Sequence, residues 1–426
     1  MHIPALYEIY QQHPSVQTDT RKLKPGDIFF ALKGDNFNGN TFAKQAIDSG
    51  AAYCVINEVA FEIPGKTILV DDVLKTLQQL ARYHRKQFSI PFLAITGSNG
   101  KTTTKELIHA VLSSTYKTYT TEGNLNNHIG VPLTILKIKK DAEFAIIEMG
   151  ANHLKEIEGY CTYAMPTHGL ITNCGKAHLE GFGSEEGVRK AKGELYNYLR
   201  SNNGTAFVMW DYDYLREMSK GISTVFRYGT KDADIVGQAV KSEPFLEVSI
   251  SKGIHTANIH SDLVGDYNLP NILAAVAIGR FFQVRDDMIT EAIENYSPSN
   301  SRSQLLEKGT NKIILDAYNA NPSSMKLAIE NFARLQSDKK ILMLGAMAEL
   351  GKESLQEHEA IINLIKQHRW NNVILVGGDF LKINQPYKIF SNSKEAANWF
   401  KEQHIENSYI LVKGSRSTQM EKLIEN

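Results

Sequence analysis

Residues 94–106 read Ala94-Ile95-Thr96-Gly97-Ser98-Asn99-Gly100-Lys101-Thr102-Thr103-Thr104-Lys105-Glu106, a glycine-containing loop between an apolar strand and a predicted helix. Gly97 and Gly100 permit backbone geometry that other residues avoid, and a helix that begins near Lys101 points its free N–H groups at an anion. In such loops the lysine reaches the terminal phosphates, and the next hydroxyl, here Thr102, binds Mg²⁺. The stretch therefore predicts a nucleoside triphosphate site; the simpler alternative is a glycine-rich turn with an incidental lysine.

The loop departs from the usual G-x-x-x-x-G-K-[ST] pattern at one position. Ile95 stands where that pattern has its first glycine, five residues before Gly100. This departure narrows the set of families to which the loop can belong.

Composition excludes several classes of protein. The 426 residues contain 47 Lys plus Arg and 47 Asp plus Glu, so no overall basic field favours nucleic acid or anionic lipid. The three cysteines, Cys54, Cys161 and Cys174, form no C-x-x-C pair, which argues against a disulfide framework or a structural zinc site. No stretch has the features of a signal peptide or the length of a membrane span. We expect a cytoplasmic protein without nucleic-acid partners or membrane insertion.

The pattern of apolar runs and turns predicts an α/β protein of three domains. A chain of this length exceeds what one core usually organises. Short apolar runs fill residues 1–88, which end in a predicted helix from Val73 to Gln87. In residues 89–301 strands alternate with helical patterns around the phosphate loop, which predicts a mostly parallel sheet. Residues 302–426 predict a smaller Rossmann-like domain, after a linker at Ser297-Pro298-Ser299-Asn300-Ser301.

Glu148 is the first candidate beyond the loop. It ends the apolar run 144–147 and precedes Gly150 closely, so it is expected at the carboxyl edge of the sheet, where α/β proteins bind ligands. Mg²⁺ takes only one or two carboxylates besides phosphates and water, so a single glutamate there suffices. Taken alone, such an acid is more often an exposed strand end or a helix cap.

Four further stretches carry polar residues with less specific signals. His178 follows another apolar strand. Three interpretations stay open for it: a metal ligand, a phosphate contact and a purely structural hydrogen bond. Lys192 lies in a basic run that predicts a solvated helix face. The loop at residues 316–324 suits a polar ligand or a capped turn. Lys413 ends a strand before Gly414-Ser415-Arg416-Ser417, which predicts a helix N-terminus suited to a carboxylate or phosphate.

Together these motifs resemble the Mur ligase family over essentially the whole chain. The loop 96–102 is similar to the shortened phosphate loop that Mur ligases share with folylpolyglutamate synthases. Other matching stretches are Gly123–Thr134, Ala177–Ser184, Tyr318–Pro322 and Lys413–Arg416. The resemblance implies an ATP-dependent amide ligase of peptidoglycan synthesis, with UDP-N-acetylmuramoyl-tripeptide and D-Ala-D-Ala as substrates, an acyl-phosphate intermediate, Mg²⁺ as cofactor and a monomeric state. It also implies that residues 1–88 bind the UDP part and residues 302–426 the dipeptide.

The resemblance assigns roles residue by residue. Lys101, His178 and Lys192 are the implied catalytic residues, with Lys192 carbamylated by CO₂ so that it offers oxygen donors to Mg²⁺. The implied metal ligands are Thr102, Glu148, His178 and carbamylated Lys192. The implied ATP-binding residues are Thr96, Gly97, Ser98, Asn99, Gly100, Lys101, Thr102, Thr103, Asn271, Arg302 and Asp316. The implied substrate-binding residues are Thr20, Arg21, Asn126, Asn127, Asn319 and Asn321.

Three positions depart from the family pattern, and several rivals remain. Thr20 replaces a serine but keeps the hydroxyl, Ser301 stands where glycine is common, and Ala346 stands where many members have aspartate. The rivals are the Mur ligase that adds the third stem residue, folylpolyglutamate synthase, a regulatory GTPase and a non-catalytic nucleotide-binding scaffold. The GTPase lacks support because residues 262–265 match D-x-x-G far from the phosphate loop, without an Asn-Lys-x-Asp motif.

Overall fold

The computed structural model describes residues 2–299 and 301–424. They form three main sheets and one two-stranded hairpin, and helices cover the main sheets in an α/β arrangement. The prediction of a three-domain α/β protein is confirmed. The domain limits at residues 88 and 301 stay predictions, and the predicted linker includes Asn300, which lies outside the described residues.

The first sheet is parallel and small, with the order β1-β2-β5-β6. Its strands, with the separate β3-β4 hairpin, are β1 Val16–Gln17, β2 Ile28–Phe30, β3 Lys33–Gly34, β4 Phe37–Asn38, β5 Tyr53–Ile56 and β6 Thr67–Leu69. The accompanying helices are α1 Ile3–Gln12, α2 Ala43–Asp48 and α3 Val73–Arg85. The predicted helix from residue 73 is therefore present, and it ends two residues early.

Helix α3 anchors this first unit on the next sheet. The Arg85 guanidinium lies 3.7 Å from the centroid of the Phe92 ring, and its Nε donates to the Ala164 carbonyl at 3.0 Å. His84 is also buried and contacts the Ile138 carbonyl through Nε2 at 2.8 Å. Because these polar groups are satisfied by backbone carbonyls of the second unit, the two units share one buried interface.

The second sheet has nine strands in the order β15-β14-β13-β12-β11-β10-β7-β9-β8. Its strands are β7 Phe92–Thr96, β8 Thr118–Thr120, β9 Phe144–Glu148, β10 His168–Ile171, β11 Thr205–Met209, β12 Thr224–Gly229, β13 Ile235–Lys241, β14 Glu247–Lys252 and β15 Asn258–His260. Strands β7 to β13 pair in parallel, whereas β14 and β15 extend the edge in antiparallel fashion. The sequence analysis did not anticipate this antiparallel extension.

The helices around the second sheet are α4 Lys101–Ser113, α5 Gly130–Leu136, α6 Glu156–Ala164, α7 Leu179–Phe182, α8 Glu185–Ser201, α9 Asp213–Ser219, α10 Leu269–Phe281 and α11 Asp286–Glu294. Strand β7 is buried along its whole length, as expected for a strand between two parallel neighbours. Helix α10 is buried from Asn271 to Gly279 because it packs beside α4 and covers strand β12. This packing brings the start of α10 beside the phosphate loop.

The third sheet has the order β16-β17-β21-β18-β19-β20 and is parallel except for β16. Its strands are β16 Gln304–Lys308, β17 Asn311–Asp316, β18 Lys340–Gly345, β19 Asn372–Val376, β20 Lys388–Phe390 and β21 Tyr409–Lys413. Its helices are α12 Pro322–Arg334, α13 Ser354–Ile365 and α14 Ser393–Glu402.

The prediction of a helix after Lys413 was wrong. The chain instead makes a short 3-10 turn at Arg416–Thr418, which ends at Gln419 with φ +49°. The Ser415 hydroxyl donates to the Ala346 carbonyl at 2.6 Å, so this serine is tied to the neighbouring strand end rather than to a helix. In the part of the chain that the structure describes, no helix combines the length and apolar character needed to cross a bilayer.

Candidate active site

A cavity of about 1170 Å³ lies where the second sheet faces the third. Fifteen of the predicted site residues line it: Ser98, Asn99, Gly100, Lys101, Thr102, Thr103, Asn126, Asn127, Glu148, His178, Asn271, Arg302, Asp316, Asn319 and Asn321. Most of them follow the carboxyl ends of strands in the two sheets, which is where α/β proteins bind ligands, whereas Asn271 lies at the start of α10 and Arg302 precedes β16.

Five predicted site residues do not line the cavity. Thr96 and Gly97 begin the loop without lining the cavity, and the Thr96 hydroxyl donates to the Met149 carbonyl at 2.7 Å. Lys192 is buried behind the cavity wall. Thr20 and Arg21 belong to the first unit, and none of its described residues reaches the cavity.

The phosphate loop has the backbone that its glycines predict. Gly97 has φ +143° and Gly100 has φ +77°, both in the region that favours glycine. A Cβ on Gly97 would lie 2.0 Å from Oγ1 of Thr172, and one on Gly100 would lie 2.7 Å from Oδ1 of Asn271. The loop therefore needs glycine at both positions for conformation and for space.

Lys101 folds back over this loop. Its Nζ donates to the carbonyl of Gly97 at 2.7 Å and to that of Ser98 at 3.2 Å. Burial lowers the pKa of Lys101, partly offset by the nearby Glu148 carboxylate. Helix α4 begins at this residue, so the lysine and the free N–H groups of the first turn meet at one point.

Glu148 is the buried carboxylate of the site, only 1% exposed. Its Oε2 accepts from the Thr102 hydroxyl at 3.0 Å and its Oε1 from Nδ2 of Asn126 at 2.8 Å. The backbone N–H of Glu148 donates to the Thr121 hydroxyl at 3.0 Å. The carboxylate and the Thr102 hydroxyl thus meet beside the phosphate loop, as predicted.

These oxygen donors fit a Mg²⁺ ion shared with phosphates. The residues described here contain no group of three or more His, Cys, Asp or Glu side chains arranged to hold a metal by themselves. One carboxylate and one hydroxyl beside a triphosphate loop are what Mg²⁺ uses when phosphates and water supply its other ligands. We therefore regard Thr102 and Glu148 as a suitable pair.

Lys192 is not on a solvated helix face, so that interpretation was wrong. Arg189 and Lys190 are exposed, but Lys192 is 1% exposed and its Nζ donates to the Ala151 carbonyl at 2.9 Å. Burial, with a further contribution from the positive charge of Lys101, lowers the pKa of Lys192 to about 7. The helical period places Lys192 inward, and packing of α8 on the sheet removes its water.

His178 faces a carboxylate from the third unit. Its Nδ1 lies 2.5 Å from Oε2 of Glu349, and this close approach of His178 lowers the pKa of the Glu349 carboxyl. The N–H of Glu180 also donates to the Glu349 carbonyl at 3.2 Å. Both His178 and Glu349 have positive φ, +51° and +61°, a conformation that few residues other than glycine adopt. The sequence analysis missed Glu349, although an acid after an apolar strand was the signal that selected Glu148.

Three stretches of the chain match descriptions of one family in succession. Residues 14–85 match the Mur ligase family, catalytic domain; residues 95–279 match the Mur ligase middle domain; and residues 301–416 match the Mur ligase, glutamate ligase domain. The UDP-N-acetylmuramoyl-tripeptide–D-alanyl-D-alanine ligase of Bacillus subtilis is 34% identical over 424 residues, which cover 96% of this chain and 92% of that protein. The chain belongs to the Mur ligase family.

Solved Mur ligases have the same fold. A crystal structure of MurF from Acinetobacter baumannii superposes with a TM-score of 0.87 at 29% identity, covering 98% of this chain and 97% of that one. The MurF ligase of Thermotoga maritima, solved in complex with ADP, gives a TM-score of 0.85 at 26% identity and covers 97% and 96% of the two chains. The predicted family is confirmed, and the ADP complex of this relative supports ATP as a substrate.

Three residues that the Mur ligase resemblance assigned to ATP line the cavity, and their side chains differ in the contacts that they make. The Arg302 guanidinium lies 3.6 Å from the centroid of the Tyr318 ring. Asn271 has both side-chain groups engaged, since its Oδ1 accepts from Thr104 and its Nδ2 donates to Asn268, at 2.9 and 2.8 Å. Because the amide carries two N–H donors and its oxygen two lone pairs, Asn271 keeps one donor and one acceptor position for a ligand while both bonds hold.

The third of these residues, Asp316, is held by a lysine that the predicted set of site residues omitted. Lys413, 2% exposed, lies with Nζ 2.5 Å from Oδ2 of Asp316 and 3.3 Å from the Asn319 carbonyl. The N–H of Ser303 donates to the other Asp316 oxygen at 3.2 Å. The strand-end position of Lys413 was noted from the sequence, but its pairing with Asp316 depends on β17 and β21 being neighbours.

Direct contacts join the third unit of this Mur ligase to the phosphate loop. Nδ2 of Asn321 donates to Oδ1 of Asn99 at 2.7 Å, while the Asn321 side-chain oxygen caps helix α12. The Ser323 hydroxyl accepts from the N–H of Lys176 at 2.9 Å. Lys176 also pairs with Glu357 at 2.7 Å. The cavity is thus bounded on both sides and held together by polar contacts.

Proposed function

We propose that this chain ligates D-Ala-D-Ala to UDP-N-acetylmuramoyl-tripeptide with ATP, in peptidoglycan synthesis. The observation that carries the proposal is the shared cavity, in which the phosphate loop and Glu148 face the asparagine-bearing loop of the third unit. The name of the Bacillus subtilis relative, which aligns along nearly all of both chains, states this reaction.

The chemistry follows from the poor reactivity of a carboxylate toward amines. ATP transfers its γ-phosphoryl group to the terminal carboxylate of the tripeptide, and the resulting acyl phosphate has phosphate as its leaving group. The amine of D-Ala-D-Ala then attacks the acyl carbon, forming the amide and releasing phosphate beside ADP. Placing the reactants in one cavity replaces a bimolecular encounter by an oriented one.

The phosphate loop supplies the electrostatic part of this reaction. Lys101 and the N–H groups that open α4 face the phosphates, where they offset the negative charge that builds up during transfer. In our proposal Lys101 exchanges its two loop carbonyls for phosphate oxygens when ATP binds. The exchange favours ATP binding because the ammonium then pairs with anionic phosphate oxygens in place of two neutral carbonyl oxygens.

Mg²⁺ is proposed to lie against Thr102 and Glu148, with His178 and carbamylated Lys192 at a second ion. When bound, the ions polarise the phosphoryl oxygens and neutralise their charge. Lys192 suits carbamylation because an amine with a pKa of about 7 is neutral for much of the time, and only the neutral amine attacks CO₂. His178 faces Glu349 through Nδ1. To bind the metal it must either leave Glu349 or use its other ring nitrogen, Nε2.

The remaining assignments concern substrate positioning. Thr20 and Arg21, which belong to the first unit and lie outside the cavity, are proposed to hold the UDP end. Asn126 and Asn127 face the cavity from the second unit, and Asn319 and Asn321 from the third. Asn321 already caps a helix and bridges to Asn99, so we expect it to act by holding the two units together.

Phosphate release is the direct test. Purified protein with ATP, Mg²⁺ and UDP-N-acetylmuramoyl-tripeptide is assayed with and without D-Ala-D-Ala, using tripeptides that end in lysine or in diaminopimelate. We expect release that depends on the dipeptide with one or both tripeptides, and none from Lys101→Ala. Absence of dipeptide-dependent release with both tripeptides would refute the proposed reaction.

A further inference from the structure

Lys105 is a fully buried lysine that the proposed reaction does not use. It lies on α4, three residues after Thr102 and therefore on the same face of the helix, and it is 0% exposed. Lysine is almost never fully buried unless its ammonium is paired, because removing the charge from water costs several kcal/mol. An apolar residue would pack there at lower cost, so the contacts of the ammonium need an explanation.

The ammonium of Lys105 reaches the end of a neighbouring strand. Its Nζ donates to the Thr121 carbonyl at 2.5 Å, one residue beyond β8, and pairs with the carboxylate of Glu106 at 2.7 Å. Thr121 is itself fully buried, and its hydroxyl accepts the backbone N–H of Glu148 at 3.0 Å. Lys105 is thus linked to the backbone of Glu148 through one residue.

The contacts close into a ring. Helix α4 contacts Glu148 twice: directly, through the Thr102 hydroxyl on Oε2 at 3.0 Å, and indirectly, from Lys105 through Thr121 to the Glu148 N–H. One path holds the carboxylate and the other holds the backbone that carries it. Together they set the distance between the helix and the carboxyl end of β9.

We propose that Lys105 is a positioning residue that, through Thr121, fixes Glu148 relative to Thr102 for binding of Mg²⁺. The proposal rests on the proposed function, in which these two residues bind the metal. Mg²⁺ demands nearly ideal octahedral geometry at about 2.0–2.1 Å, so small displacements of one ligand weaken binding strongly. Residues that orient metal ligands typically change metal affinity about 10- to 100-fold when they are replaced.

The test measures ADP binding by calorimetry, with and without Mg²⁺, so that it does not depend on ligase activity. Lys105→Met removes the charge and the donor but keeps an unbranched side chain, and Glu106→Gln is the matched control that removes only the ion pair. We expect Lys105→Met to bind ADP alone about as wild type does and to lose about 10-fold or more of the tightening that Mg²⁺ causes. Glu106→Gln should keep that tightening.

A second pair of variants tests the path if Lys105→Met does not fold. Thr121→Val removes the acceptor of the Glu148 N–H, whereas Thr121→Ser keeps a hydroxyl there. The proposal expects loss of the Mg²⁺ effect in the valine variant and retention in the serine variant.

Three results would overturn the inference. They are an undiminished Mg²⁺ effect in folded Lys105→Met, equal weakening of ADP binding with and without Mg²⁺, and identical behaviour of the two Thr121 variants. Absence of any Mg²⁺ effect on ADP binding in wild type would overturn the metal assignment of Thr102 and Glu148 as well. A Mg²⁺ effect that is present in wild type and undiminished in Lys105→Met would overturn only the positioning role of Lys105.

Discussion

Replacing Lys192 by methionine is expected to make the protein more stable and inactive. Moving the pKa of a lysine from its ordinary value of 10.5 to about 7 corresponds to about 5 kcal/mol of preference for the neutral amine. This energy is the cost of keeping the cation in the folded chain. The variant also loses the hydrogen bond to the Ala151 carbonyl, which contributes about 1 kcal/mol. We therefore expect the free energy of unfolding to rise by about 2–4 kcal/mol at pH 7.

The sign of the pH dependence follows from proton binding. Between pH 7 and 10.5 the unfolded chain holds a proton on Lys192 that the folded chain lacks, so the stability of wild type rises with pH in that window. The methionine variant lacks this contribution, and its advantage over wild type should shrink by about 3 kcal/mol between pH 7 and about pH 9.5. Below pH 7 the advantage should stay at its full value.

Urea unfolding in buffers depleted of CO₂ measures these differences, because carbamylation would change the charge of Lys192. Lys190→Met, an exposed lysine on the same helix, is the matched control and should change stability by less than about 0.5 kcal/mol. In the ligase assay Lys192→Met should lose most activity, and Lys192→Ala should regain part of it with an added short carboxylate. The reasoning about burial would be refuted if Lys192→Met were less stable than wild type at pH 7, or if its gain in stability did not change with pH. Full ligase activity of Lys192→Met would refute a role for the carbamate.

Three other perturbations test separate parts of the structure. Gly97→Ala puts a Cβ 2.0 Å from a threonine hydroxyl of the adjoining loop and should abolish ADP binding in calorimetry, whereas Gly159→Ala, in open space on α6, should leave it unchanged. Lys413→Met leaves the Asp316 carboxylate without its cation and should lower the free energy of unfolding by about 3–5 kcal/mol in urea titrations. Adding Asp316→Asn to this variant removes the unpaired charge and should make the loss of stability smaller. Burial lowers the pKa of His168 to about 4, so the folded chain resists protonation while the unfolded chain accepts it below pH 6.5. Wild type should therefore lose about 2 kcal/mol relative to His168→Gln between pH 7 and 5, and parallel curves for the two proteins would contradict this.

Much of the phosphate-binding half of the site was predictable because its signal is local. The strand, loop and helix from Phe92 to Ser113 are consecutive in sequence, and glycine, lysine and hydroxyl occupy positions that only such a turn requires. Glu148 was predictable for a related reason, since an acid at the end of a buried parallel strand reaches the ligand-binding edge of the sheet.

Other residues needed the folded chain. His178 meets Glu349 across 171 positions of sequence, and Asn99 meets Asn321 across 222. Neither pair has a spacing that a pattern can detect, because the partners belong to different sheets. Lys413 and Asp316 lie in one sheet, but they become neighbours only because β21 inserts between β17 and β18, which their spacing in the sequence does not indicate.

The sequence by itself determined the α/β class, the phosphate loop and the family, because these depend on short-range periodicity and on residue types in fixed order. Only the tertiary structure decided which charges lose contact with water. Lys105 and Lys192 each stand in a polar, basic run, yet both are buried, since helices α4 and α8 turn those side chains toward the second sheet. The free energy of a charge depends on the dielectric and partners around it, and long-range packing alone supplies these.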